Sequence, residues 1–190
     1  MKASIRKLFR FAGIEAGILV WMVILLSISY NPWFVFTEHA FSDLGGPRAE
    51  KPWVFNYGLM IVSVFGLLYS LSLIKDATNK VETVGGAFMF TANIFLALVG
   101  FYPSGTTPHT FVSTWFFIQA DLAIVTWGIG LLLRGRKVFG MVSTTMGILG
   151  PLVAALIEWP SIATLEAYGI IMIDAWMVLM LKAHIVDSNL

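Results

Sequence analysis

Six stretches of about twenty mostly apolar residues follow one another along the chain, separated by short polar breaks. A helix needs roughly that many apolar residues to cross the ~30 Å hydrocarbon core of a bilayer. The stretches run from about Phe9 to Tyr30, Trp53 to Ile74, Val84 to Tyr102, Thr110 to Leu133, Val138 to Ile157 and Ser161 to Leu181. The breaks are Asn31-Pro32, Lys51-Pro52, Pro103-Ser104-Gly105, Arg134-Gly135-Arg136-Lys137 and Glu158-Trp159-Pro160, all residue types that end helices. The pattern predicts an all-α bundle of six transmembrane helices, one integral membrane domain over residues 1–190. Composition agrees, with 58% hydrophobic and 12% charged residues and a mean hydropathy of +0.83. Soluble domains carry about twice that charged fraction. A soluble enzyme, a disordered chain and a DNA-binding domain are thereby excluded.

The net charge of +1 offers no basic surface, so no nucleic-acid partner is expected. Absence of cysteine removes disulfides, thiolate metal sites and thiol nucleophiles. Membrane lipids are the expected partners, and assembly into a homo-oligomer is left open.

Basic residues predict orientation, because they concentrate in cytoplasmic loops. With the N-terminus inside, Lys2, Arg6, Lys7, Arg10, Lys75, Lys80, Arg134, Arg136, Lys137 and Lys182 all face inward, and only Arg48 and Lys51 face outward. The expectation is a multi-pass protein of the cell membrane with both termini cytoplasmic. The first span is basic before an apolar run, like a signal peptide, but it is too long and lacks a small-residue cleavage site; it reads as retained. Trp33, Trp53, Trp115 and Trp159 fall near the predicted outer boundary, where amphipathic rings prefer to sit. Gly13, Gly17, Gly85, Gly86, Gly128, Gly130, Gly140, Gly147 and Gly150 mark expected sites of close helix contact. Pro151 is expected to kink the fifth span.

The longest connection, from Asn31 to Pro52, carries the densest polar chemistry. The run from Thr37 to Gly45 reads as a short helix, with Thr37 as its cap and Gly45 as its left-handed stop. A spacing of four then puts His39 and Asp43 on one face, and Glu38 and Ser42 beside them. A carboxylate next to an imidazole fixes its tautomer and raises its basicity. His39 as base, Ser42 as nucleophile or donor and Asp43 as orienter form one candidate catalytic set. Hydrogen bonds that tie the loop to helix ends are the plainer reading.

The run His39-Ala40-Phe41-Ser42-Asp43-Leu44-Gly45, followed by Asn56-Tyr57-Gly58-Leu59 at the head of the second span, resembles the domain-of-unknown-function 998 family. These are six-span prokaryotic membrane proteins, common in archaea. That family is in turn similar to the eukaryotic DRAM-like proteins, which carry a comparable Ser-Asp element after their first span. The resemblance implies a six-helix bundle with functional weight on this loop. It implies no reaction.

A divalent metal is a second candidate for the outer face, with His39, Asp43, His109 and Glu158, or Glu166 in its place, as the nitrogen and oxygen ligands. The third histidine, His184, lies at the inner end of the sixth span and cannot join them across the bilayer. No haem or nucleotide cofactor is expected. A third constellation is intramembrane. Asp121 and Asp174 lie 11 to 13 residues into their spans, near the midplane at about 1.5 Å per residue, with Asn93 and Gln119 at similar depth. No basic residue lies at that depth. Such acids are protonated, share a proton or bind a cation, and mark functional sites by default. Glu15 is expected to pair with Lys182, His184 or Arg10, or to reach water. The basic patch Arg134, Arg136 and Lys137 is expected to touch anionic lipid.

Three functions stay open on these grounds. The first is a non-enzymatic protein that binds a lipid or small amphiphile within the bundle. The second is a membrane-embedded, metal-assisted hydrolase that cleaves a lipid headgroup at the outer face through His39, Ser42 and Asp43, with His109 and Glu158 as further ligands. The third is a proton- or cation-coupled transporter that uses Asp121 and Asp174, with Asn93 alongside.

Overall fold

The computed structural model describes residues 3–188 and the side chains of 8–186. Lys2 lies outside the described residues, as do the side chains of Arg6 and Lys7. The chain forms α1 (Ala3–Tyr30), a 3₁₀ helix (Phe41–Gly45), α2 (Pro52–Asp76), α3 (Lys80–Phe101), α4 (His109–Leu133), α5 (Lys137–Leu156) and α6 (Ile162–Ser188). All six α-helices are long and apolar enough to cross a membrane, and no strand occurs among the described residues. Apolar content therefore identified every span. The helices run past the apolar windows at their polar ends. α3 begins at Lys80 rather than near Val84 because the Asn79 side chain accepts the Glu82 amide at 3.0 Å and so caps a polar first turn.

Each helix packs on the next, and α6 closes back on α1. An even number of antiparallel spans puts both termini at one end of the bundle, where Arg10 of α1 bonds His184 of α6. The 3₁₀ helix lies at the opposite end. Helices α1 to α5 pack closely in succession, and α6 packs more sparsely on α5, α1 and α4. Trp176 of α6 is fully buried and donates to Ser143 Oγ of α5 at 2.8 Å. Ser143 in turn donates to the Ile124 carbonyl of α4 at 2.8 Å. Interhelical hydrogen bonds of this kind contribute about 0.6 to 1.7 kcal/mol in a membrane protein. They tie the terminal half of α6 to the bundle.

Small residues mark the α4–α5 seam as expected. A Cβ on Gly147 would lie 2.8 Å from the Val125 amide, and one on Gly128 2.6 Å from the Thr144 amide. Gly150 is the exception, because a Cβ there would meet only side-chain atoms, none nearer than 3.3 Å. Its backbone faces a cavity rather than a neighbouring helix. Pro151 lies inside an α5 that continues helical to Leu156.

The polar groups of the terminal end pair with one another. Arg10 Nε lies 2.5 Å from Asp76 Oδ2, so Arg10 serves Asp76 and His184 rather than Glu15. Arg134, expected at lipid, instead lies with its Nε 3.1 Å from Oε1 of Glu82, which is completely buried. Glu82 Oε2 also accepts from the amide and hydroxyl of Thr78 at 2.7 and 3.0 Å. Gly135 makes the α4–α5 turn with φ +84°, a conformation that costs glycine least.

Candidate functional site

Loop 31–51 folds back over the end of the bundle and is fastened to the start of α6. The Ser161 hydroxyl donates to the Phe36 carbonyl at 2.6 Å. The Ala163 amide, an orphan donor of the first turn of α6, donates to the His39 carbonyl at 2.9 Å. The Phe41 amide donates to Glu166 Oε2 at 2.6 Å, with the Ser42 amide and hydroxyl beside the same carboxylate.

The short helix is a single 3₁₀ turn that begins at Phe41, not an α-helix from Thr37 to Gly45. Asp43, not Thr37, caps it, since Asp43 Oδ2 accepts the Ala40 amide at 2.9 Å. The remaining Asp43 oxygen accepts from Ser104 Oγ at 3.3 Å. Phe41 is buried between Trp21 and Phe34, with ring centroids at 6.3 and 5.9 Å. Gly45 is not in a left-handed conformation. It is small because Asn56 lies against it. A Cβ there would sit 2.1 Å from Asn56 Oδ1, while Asn56 Nδ2 donates to the Gly45 carbonyl at 3.0 Å. Gly58, two residues on from Asn56, admits Val23 of α1, whose methyl would lie 2.5 Å from an added Cβ. The Ser-Asp-Leu-Gly and Asn-Tyr-Gly elements thus act as one clasp between the loop, α1 and α2.

This register separates the expected pair. His39 precedes the 3₁₀ helix, accepts the Val35 amide on Nδ1 at 3.0 Å and packs on Trp33 and Phe34 at 5.2 and 5.9 Å. It shares no helical face with Asp43. Ser42 is buried toward Glu166, and Glu38 is exposed. His39, Ser42 and Asp43 therefore do not assemble as base, nucleophile and orienter.

The metal set does not assemble either. Among the described residues no three His, Cys, Asp or Glu side chains are grouped to hold an ion. His39 faces the aromatic rings, and Glu158 is exposed at the α5–α6 turn. His109 opens α4, buried, with Nδ1 bonded to the Tyr102 carbonyl at 2.8 Å.

The sparse packing of α6 leaves two cavities beneath the loop. A central one of about 100 Å³ lies among α1, α2, α3, α4 and α6 and is almost wholly apolar. A lateral one of about 560 Å³ lies between α4, α5 and α6 under the 3₁₀ helix. Ser42, Ser113, Phe117, Glu166 and Ile173 border both. The Phe117 ring is seated on Gly169, where an added Cβ would lie 2.5 Å away, and it forms much of the partition.

The rim of the lateral cavity is polar, with Asp43, Ser104, His109 and Glu166. Its depth follows from α4. Twelve residues separate His109 from Asp121, about 18 Å at 1.5 Å per residue. The wall between them is mostly apolar and aromatic, including Phe117, Ile118, Leu165 and Met172, and carries the Thr110, Ser113 and Thr114 hydroxyls toward the rim.

The midplane residues divide between the two cavities. Asn93 and Asp174 line the central one and Asp121 the lateral one. Asn93 Nδ2 donates to the Met89 carbonyl at 2.9 Å and to Ser70 Oγ at 3.2 Å, and Asn93 fills the notch left by Gly66. Asp174 accepts from Trp21 Nε1 at 2.9 Å. The two aspartates and Asn93 therefore do not form one constellation. Asp121 accepts no hydrogen bond among the described residues. Glu82 was hidden from sequence reading, because nothing in its polar turn signals complete burial.

A profile of the family described as "Protein of unknown function (DUF998)" matches residues 14–182. No curated protein and no solved structure matches the chain.

Proposed function

The chain belongs to the DUF998 family, and from that premise we propose that this member binds an amphiphile in the cavity between α4, α5 and α6. The observation that carries the reading is the form of the cavity. At about 560 Å³ it is within the usual size range of small-molecule sites, roughly 300 to 1,000 Å³. Its polar rim under the loop suits a headgroup, and its apolar wall suits a chain or ring system. An apolar ligand can reach it from the bilayer, because α6 packs only sparsely on α4 and α5. Ten of the twelve basic residues belong to the end that carries the termini, which supports placing that end in the cytoplasm and the rim outside.

The test is a thermal shift on delipidated protein in a nonionic detergent. A total lipid extract of the host membrane should raise the Tm of the wild type saturably, as mass action requires of a ligand that binds only the folded state. Gly150→Leu, whose side chain would occupy the cavity, should not respond. Equal responses in the two proteins would contradict the reading.

A further inference from the structure

We propose that the ligand of the lateral cavity is a lipophilic amine whose ammonium pairs with Asp121; this rests on the cavity-binding reading above. Three observations converge on it. The first is the sign of the cavity. Its lining contains Asp43, Asp121 and Glu166 and no lysine or arginine. The two basic residues of that end are held elsewhere, Arg48 over the Trp33 ring at 4.5 Å and Lys51 over the Tyr30 ring at 3.9 Å. A phosphate or sulfate headgroup would meet three carboxyl groups and no lysine or arginine.

The second is that two of the three acids are occupied by the fold. Asp43 caps the 3₁₀ helix and meets Ser104, and Glu166 holds the Phe41 amide. Asp121 alone has no hydrogen-bond or ion-pair partner among the described residues, although it lies near mid-membrane. A carboxylate at that depth is costly unless a partner offsets it.

The third is what surrounds Asp121. The point where a Gly150 Cβ would sit is 4.0 Å from Asp121 Oδ1, 3.9 Å from Tyr168 Oη and 3.3 Å from Met172 Cε. The Tyr168 hydroxyl is spent on the Gly150 carbonyl at 3.1 Å, so it adds no donor to Asp121. A carboxylate oxygen, a hydroxyl already used and a thioether nearest that point, with the Tyr168 and Phe117 rings in the same lining, are poor ligands for a hard metal ion, which takes six or more oxygens. They suit an organic ammonium, which binds aromatic faces as well as a carboxylate. The lack of a Cβ at Gly150 leaves room for it.

The probes are octylamine and 1-octanol, matched in size and differing in charge. Each is titrated by calorimetry at neutral pH into the full chain in phosphatidylcholine nanodiscs, with empty nanodiscs subtracted. The wild type should bind the amine about tenfold or more tightly than the alcohol, the scale of one partly desolvated charge pair. Asp121→Asn should bring the amine down to the alcohol and leave the alcohol unchanged. Equal binding of the two probes by the wild type overturns the amine assignment and leaves the cavity reading standing. Saturable binding of neither overturns both. A preference that survives in Asp121→Asn overturns the role of Asp121. Should that variant fail to fold, Asp121→Ser serves in its place, and the wild-type comparison alone decides the sign of the charge.

Discussion

The backbone amide of Phe41 donates to the side chain of Glu166 at 2.6 Å across 125 residues of sequence, and this bond fastens the loop after α1 to the last helix. Glu166→Ala should release the loop. A hydrogen bond to a charged group contributes about 1.5 to 3 kcal/mol, so the variant should lose stability on that scale. Hydrogen exchange should find the Phe41 and Ser42 amides deprotected while the amides of α2 and α3 are unchanged. Uniform loss of protection would show that Glu166 supports the whole bundle instead.

The glycines of α5 should divide sharply. Gly147→Ala pushes a Cβ to 2.8 Å from the Val125 amide, backbone that cannot move aside, and should lower thermal stability in detergent by about 1 to 3 kcal/mol. Gly150→Ala comes no nearer than 3.3 Å to any neighbour, the flexible end of Met172, and should be neutral or mildly stabilising. A comparison of their melting curves checks this.

Glu82 and Arg134 form a pair with one completely buried member. Arg134→Met should strand the carboxylate and cost about 3 to 5 kcal/mol. Glu82→Gln added to it should recover most of the loss. A double-mutant cycle on unfolding free energies measures the coupling, and simple additivity of the two single changes would refute the pairing.

His39→Ala should leave amphiphile binding intact, because His39 lines neither cavity. Its effect on stability should be about 1 kcal/mol, the scale of the single hydrogen bond it accepts from the Val35 amide. Loss of ligand in this variant, measured by the same thermal shift as for Gly150→Leu, would return the loop histidine to the site.

The spans were legible because a bilayer imposes one dominant rule, about twenty apolar residues per crossing, and each of the six windows obeys it. Helix ends were less so, since Asn79 and Pro52 set them by local capping rather than by hydropathy. The loop differs in register from what its spacing predicts. Spacing placed His39 and Asp43 on one face, but the bond from Ala163 to the His39 carbonyl and the Asp43 cap at Ala40 start the helix at Phe41, four residues after Thr37. The role of Glu166 was visible only as an acid near the outer rim, because its partner is 125 positions away and no periodicity encodes that distance. The midplane aspartates were found by depth alone. Depth does not say which side of α4 or α6 a residue occupies, so the two were joined in one constellation and the structure divides them.

Native mass spectrometry of the full chain released from a mild nonionic detergent tests the cavity most directly. One amphiphile should be retained per wild-type chain at collision energies that strip peripheral lipid, and none in Gly150→Leu. A bare wild-type chain under those conditions, or the same adduct on Gly150→Leu, would contradict cavity binding.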